Sequence, residues 1–168
     1  IFTDFSFLKR LSNLESLSLW GYYTENSTFS LKDDGAESLA IAIGQIKQLD
    51  SLTLRRIGGL SADNLLTIAQ AHPMGRRGIQ LDHLGLGITD YAQILPKLKW
   101  KTIELTEDSF SLRDARSLQL AATTPWEFRR LTFGSSAFKD LSDEEEEAAE
   151  KAFHMNNAPR VSIYLRGF

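Results

Sequence analysis

Residues 14–20 read LESLSLW, and the spacing of Leu14, Leu17 and Leu19, L-x-x-L-x-L, decides how the rest of the chain is read. Its fourth and sixth places are separated by a small polar residue, the period of a strand with one face buried. Near-copies follow. LDSLTL centres on Leu52, LDHLGL on Leu84, WKTIEL on Ile103, FRRLTF on Leu131 and RVSIYL on Ile163. The gaps between centres are 35, 32, 19, 28 and 32 residues, and the first place is apolar in all copies except at Arg160. Recurrence of one short pattern at such intervals is the signature of a repeat architecture.

Between the copies the period changes to that of a helix. Ala36, Leu39, Ala40, Ile43 and Ile46 recur at helical offsets, as do Leu65, Ile68 and Ala69, and again Ala149, Ala152 and Phe153. Ser142–Glu145 fits a capping box, in which the first and fourth side chains satisfy each other's backbone N–H groups, and Ser111–Asp114 is a weaker version. In the third unit Tyr91, Ile94, Leu95 and Leu98 share a helical face, and Pro96 is expected to interrupt a helix starting near Asp90. A short helical turn then fits the 19-residue gap. In the first unit YYTENSTFSLK is expected to form a surface loop, which would expose the glycosylation sequon Asn26–Thr28 if the chain met a secretory pathway.

Strand and helix in alternation imply parallel strands with right-handed crossovers. LKDDGAESLAIAIGQIKQLDSLTL and LSDEEEEAAEKAFHMNNAPRVSIYL carry the resemblance furthest. With them the chain resembles leucine-rich repeat proteins of the ribonuclease-inhibitor-like subtype, from about Phe7 to Leu165. The resemblance implies an α/β fold: a right-handed solenoid of about six units, with a concave parallel sheet and convex helices. It also implies protein recognition. One feature departs from the family. The place three residues after the last motif leucine, usually Asn or Cys, holds Tyr22, Ile57, Thr89, Asp108 and Ser136, so the turns need other backbone partners.

The 168 residues suit a single domain, 1–168. FSFLKRLSNL reads as the tail of a preceding helix, so residues 1–13 are expected to end an earlier unit or act as a cap, and the initial Ile suggests a piece of a larger protein. The apolar share of 42% is ample for a core. The net charge of −3 does not point to general nucleic-acid binding. No apolar run is long enough to span a membrane. The absence of cysteine excludes disulfides and thiolate chemistry, and with no secretory signal at the start a cytoplasmic location is expected.

In this pattern the third, fifth and seventh places face the concave side. They are small or polar in the middle of the array, with His83 among those of the third copy, and carry bulk near the ends. Trp, Tyr and Arg are the usual anchors of protein interfaces. The expected partner contacts are Trp20, Arg55, His83, Arg130, Tyr164 and Arg166, against the plainer reading of solvated strand residues. The second places run from acidic Glu15, Asp50 and Asp82 to basic Lys101 and Arg129, a gradient able to orient a partner.

Chemical sites have weaker support. Asp143–Glu147 lacks the spacing and glycine of a calcium loop, and acids there favour a helix N-terminus. His72, His83 and His154 have no metal-ligand spacing, and no phosphate-binding glycine motif occurs. No cofactor is expected. A hydrolase using His83 with Ser51 and Asp82 is the alternative from another class, and a structural spacer is a third. The expected function is that of a protein-binding module, either the sensing or autoinhibitory region of a larger receptor or an adaptor or effector.

Overall fold

Six strands lie side by side in chain order: β1 (Ser16–Trp20), β2 (Ser51–Arg55), β3 (Gly78–Asp82), β4 (Thr102–Thr106), β5 (Arg129–Gly134) and β6 (Val161–Arg166). Every neighbouring pair is parallel. The computed structural model describes residues 4–21, 31–71, 78–107, 110–121, 129–139, 141–145, 147–148, 151 and 161–166. The loop insert with Asn26 and Thr28, as well as His72, His154 and the offsets Ala149, Ala152 and Phe153, lies outside the described residues.

The register corrects the third repeat. One row of the register runs Leu17, Leu52, Ile79, Ile103, Leu131 and Ile163 and is buried at its first four places, so Ile79 stands where Leu84 was expected. The second row runs Leu19, Leu54, Leu81, Leu105, Phe133 and Leu165. Leu84 follows β3 and is buried in the turn, matching Ile57 after β2. LDHLGL imitates the motif, but its first leucine, Leu81, is already the last apolar residue of the true copy. The shift moves His83 off the strand. The sheet-facing places of β3 are Gly78, Gln80 and Asp82. The centres are now 35, 27, 24, 28 and 32 residues apart, which removes the anomalous short interval.

The returning segments are α1 (Asp33–Ile43), α2 (Ala62–Ala71), α3 (Ile88–Ile94) and α4 (Leu112–Ala121), each packed on the next. Their apolar faces are those of the sequence: Ala36, Leu39, Ala40 and Ile43 of α1, and Leu65, Ile68 and Ala69 of α2, are buried. They join Leu52, Leu54, Ile79, Leu81, Ile103 and Leu105 in one core between sheet and helices. α3 begins at Ile88 and ends before Pro96, with a 3-10 turn over Leu95–Lys97. Pro96 fits there because its missing N–H falls at the start of the new turn. Tyr91, Ile94, Leu95 and Leu98 are all buried. Trp100 is anchored by donating from Nε1 to the Ala69 carbonyl at 2.9 Å.

Residues 6–10 form a 3-10 helix packed on α1. Phe5 and Leu8 enter the core, and the Phe5 N–H donates to Ser38 Oγ at 3.0 Å. The missing asparagine ladder has a substitute in the backbone. The N–H groups of Gly21, Arg56, His83 and Glu107 donate to the carbonyls of Arg55, Asp82, Thr106 and Gly134 on the following strand. Each is the residue just after a strand, so the sheet's hydrogen bonding runs one step into every such turn. Gly21 is required there, since an added Cβ would lie 2.0 Å from the Arg56 carbonyl oxygen. No helix among the described residues is long and apolar enough to cross a membrane.

Candidate functional site

The parallel register brings the last residue of each strand into one row: Trp20, Arg55, Asp82, Thr106, Gly134 and Arg166. With strands ~4.8 Å apart, this edge is roughly 24 Å long. At its first end the Arg55 guanidinium carbon lies 5.2 Å from the centroid of the Trp20 ring. Arg55 Nε also donates to Asp82 Oδ2 at 2.9 Å, with side-chain exposures of 36% for the arginine and 6% for the aspartate. A cation over an indole contributes about 0.5–1 kcal/mol at an exposed site. The ion pair orients the guanidinium, which in turn favours this placement of the ring. Trp20 is thus held in place while remaining 63% exposed.

Asp82 reaches a second partner. Nδ1 of His83 donates to its Oδ1. His83 takes the left-handed backbone conformation, φ 50°, as Arg56 does at the same place after β2, φ 51°. This conformation costs a residue with a Cβ some free energy, and the two repeated ladder bonds hold it there.

Behind this row lies a buried carboxylate. Glu107 Oε1 accepts from the Leu84 N–H at 2.9 Å and from the Tyr91 hydroxyl at 2.8 Å. Burial pushes the Glu107 carboxyl above its ordinary range. The hydrogen bonds from Tyr91 and Leu84, and the nearby His83, oppose the shift without cancelling it. Tyr91 is wholly buried, and its hydroxyl is pushed well above 10.0 by desolvation first and by the Glu107 charge second. It stays neutral and donates. Glu107 therefore ties the β3–α3 turn, through Leu84, to α3, through Tyr91.

The expected contacts are distributed as follows. Trp20 and Arg55 touch. Arg166 closes the same row on β6, and Tyr164 lies in the adjacent row with Ser18, Thr53, Gln80, Glu104 and Thr132. Arg130 is at the opposite end of the strands, in register with Thr102 and Ser162. His83 is not a strand residue and is mostly covered, with 16% of its side chain exposed. Ser51 pairs with Gly78 at the start of β3, roughly 13 Å along the strand from Asp82. The set His83, Ser51 and Asp82 is therefore not brought together. The charge gradient also loses Asp82, which belongs to the seventh place, while Glu15, Asp50, Lys101 and Arg129 keep theirs.

Asp82 as the fixing residue, and Glu107 with Tyr91, escaped the sequence reading. Asp82 was assigned to the wrong place of its repeat. Even spacing between strands was the signal that would have corrected it. Glu107 carries no such mark, because one acid beyond a strand end looks like any turn acid. Among the described residues no group of three His, Cys, Asp or Glu side chains is arranged to hold a metal. No family model, no curated protein and no solved structure matches this chain.

Proposed function

We propose that the chain is a right-handed leucine-rich-repeat-type solenoid of about six strand–helix units, and that its sheet face binds another protein. The observation that carries the reading is the Trp20–Arg55–Asp82 row: an exposed indole held by a guanidinium that a nearly buried carboxylate fixes in turn. Such an anchor is ordered before binding, so association loses little side-chain freedom. Around it Ser16, Ser18, Ser51, Thr53 and Gln80 offer short polar side chains that let a partner backbone approach. Tyr164 and Arg166 lie at the far end of the same face by register. A contact spanning the rows would bury about 800 Å² on each side, the size of an ordinary specific interface.

The test compares proteins retained by the wild-type chain, by a Trp20→Ala/Tyr164→Ala pair and by Lys47→Ala, an exposed change just beyond α1. The account expects proteins retained by wild type and Lys47→Ala and lost from the pair. Retention of the full wild-type set by the pair would contradict it.

A further inference from the structure

Arg55 stands on an inner strand, with β1 on one side and β3 on the other. Asp82 grips its guanidinium through the Nε side. Beyond that bond and the contact with Trp20, the side chain has no partner among the described residues, and 36% of it is exposed. A guanidinium is a planar fork of N–H donors that keeps its charge, and a fork gripped on one side still offers its far nitrogens to a carboxylate. Arg56, the next residue, is exposed and adds a second positive charge. Among the described residues no exposed acid competes in the row of Arg55. Asp82 is 4% exposed and is engaged by Arg55 and His83, while Glu107 is buried. Glu104 is half-buried in the adjacent row, two strands from Arg55 and so roughly 10 Å away. Asp33, Asp63 and Asp90 open helices in the layer behind the sheet.

We infer that the partner presents an extended acidic segment to this end of the face, with a carboxylate on Arg55 and an aromatic side chain on Trp20. This rests on the sheet face binding a protein, as proposed, and adds the chemistry of what binds. Trp20 keeps 63% of its surface for a second ring, and aromatic rings pair well when offset or edge to face. Residues two apart in an extended segment present their side chains on one side, roughly 7 Å from each other. That step suits a ring on Trp20 and a carboxylate just beyond the Arg55 guanidinium, whose carbon is 5.2 Å from the indole centre. Ser18 and Thr53, in the adjacent row, are short enough to admit the segment's backbone.

Charge decides which kind of segment fits. A basic one would meet Arg55 and Arg56 with no exposed acid of their row to receive it. A phosphorylated one would bring close to two negative charges. Asp82 already takes up part of the Arg55 charge, so this end suits the single charge of a carboxylate better.

The probes are short capped peptides of glycine and serine with phenylalanine and, two places on, glutamate, glutamine, lysine or phosphoserine. Binding is read from the indole N–H resonance of Trp20, assigned by its loss in Trp20→Phe. The glutamate peptide is expected to shift this resonance saturably. It should bind wild type at least about fivefold more tightly than the glutamine or lysine peptide, and more tightly than the phosphoserine one. Arg55→Gln should remove the preference for glutamate over glutamine. The comparison of peptides on wild type stands even if that variant fails to fold. No shift with the glutamate peptide, equal binding of the glutamate and glutamine peptides, tighter binding of the lysine or phosphoserine peptide, or an undiminished preference in folded Arg55→Gln would each overturn the inference. The protein-binding face itself is decided separately, by what the Trp20→Ala/Tyr164→Ala pair retains.

Discussion

Glu107 shows how one buried group couples two elements. Its carboxylate accepts from Leu84 in the β3–α3 turn and from Tyr91 in α3, and burial holds its pKa above the ordinary value of 4.5. An acid with a raised folded-state pKa is more protonated in the folded than in the unfolded chain. Its stability contribution is therefore full below the unfolded pKa and is lost as pH rises through the raised one. Glu107→Gln keeps an oxygen acceptor for both donors and does not titrate. Wild type should lose stability relative to this variant as pH rises from about 4.5 toward neutrality. Urea midpoints measured across that window provide the check, and parallel curves for the two proteins would show that Glu107 does not titrate as described. Trp20 and Arg55 were legible as residue types at sheet-facing places. Their contact was not, since side-chain pairing depends on a register that a single strand does not reveal.

At the level of elements, the helix starts were the most readable feature. Ser111 Oγ accepts from the Asp114 N–H at 3.2 Å, while Asp114 Oδ2 accepts from the Ser111 N–H at 2.9 Å. Ser142 and Glu145 make the same reciprocal pair, at 3.3 and 2.9 Å. The sequence shows these because capping is local: four consecutive residues contain all the partners. Ser111→Ala should destabilise the protein by about 1 kcal/mol. Chemical denaturation would measure this, and an unchanged midpoint would mean that the start of α4 is held by its packing alone. Strands were legible where no rival copy of the motif lay nearby, β6 included although its first place is Arg160. β3 was not, because its first place falls on Arg76 and Gly78 opens the strand, while LDHLGL a few residues later offers a false copy. Local pattern favours the false copy; even spacing between strands favours the true one.

For the molecule as a whole, residues on an edge strand of a sheet have fewer neighbours than those on its inner strands. Among the described residues, Leu52, Ile79 and Ile103 have a strand on both sides, whereas Leu17 has one on one side only. That asymmetry was not visible in the sequence, where every copy of the motif looks alike. It follows from position in the sheet. Strand order was legible, since short strand–helix returns place successive strands side by side.

The account depends most on the interior row. Methyl-to-methyl nuclear Overhauser contacts, measured on a sample with labelled Ile and Leu, read it directly. Ile79 should show contacts to both Leu52 and Ile103, and Leu84 should show none that bridge those two residues. Contacts from Leu84 to Leu52 and Ile103, with Ile79 outside the row, would contradict the register and remove Asp82 from its place beside Arg55.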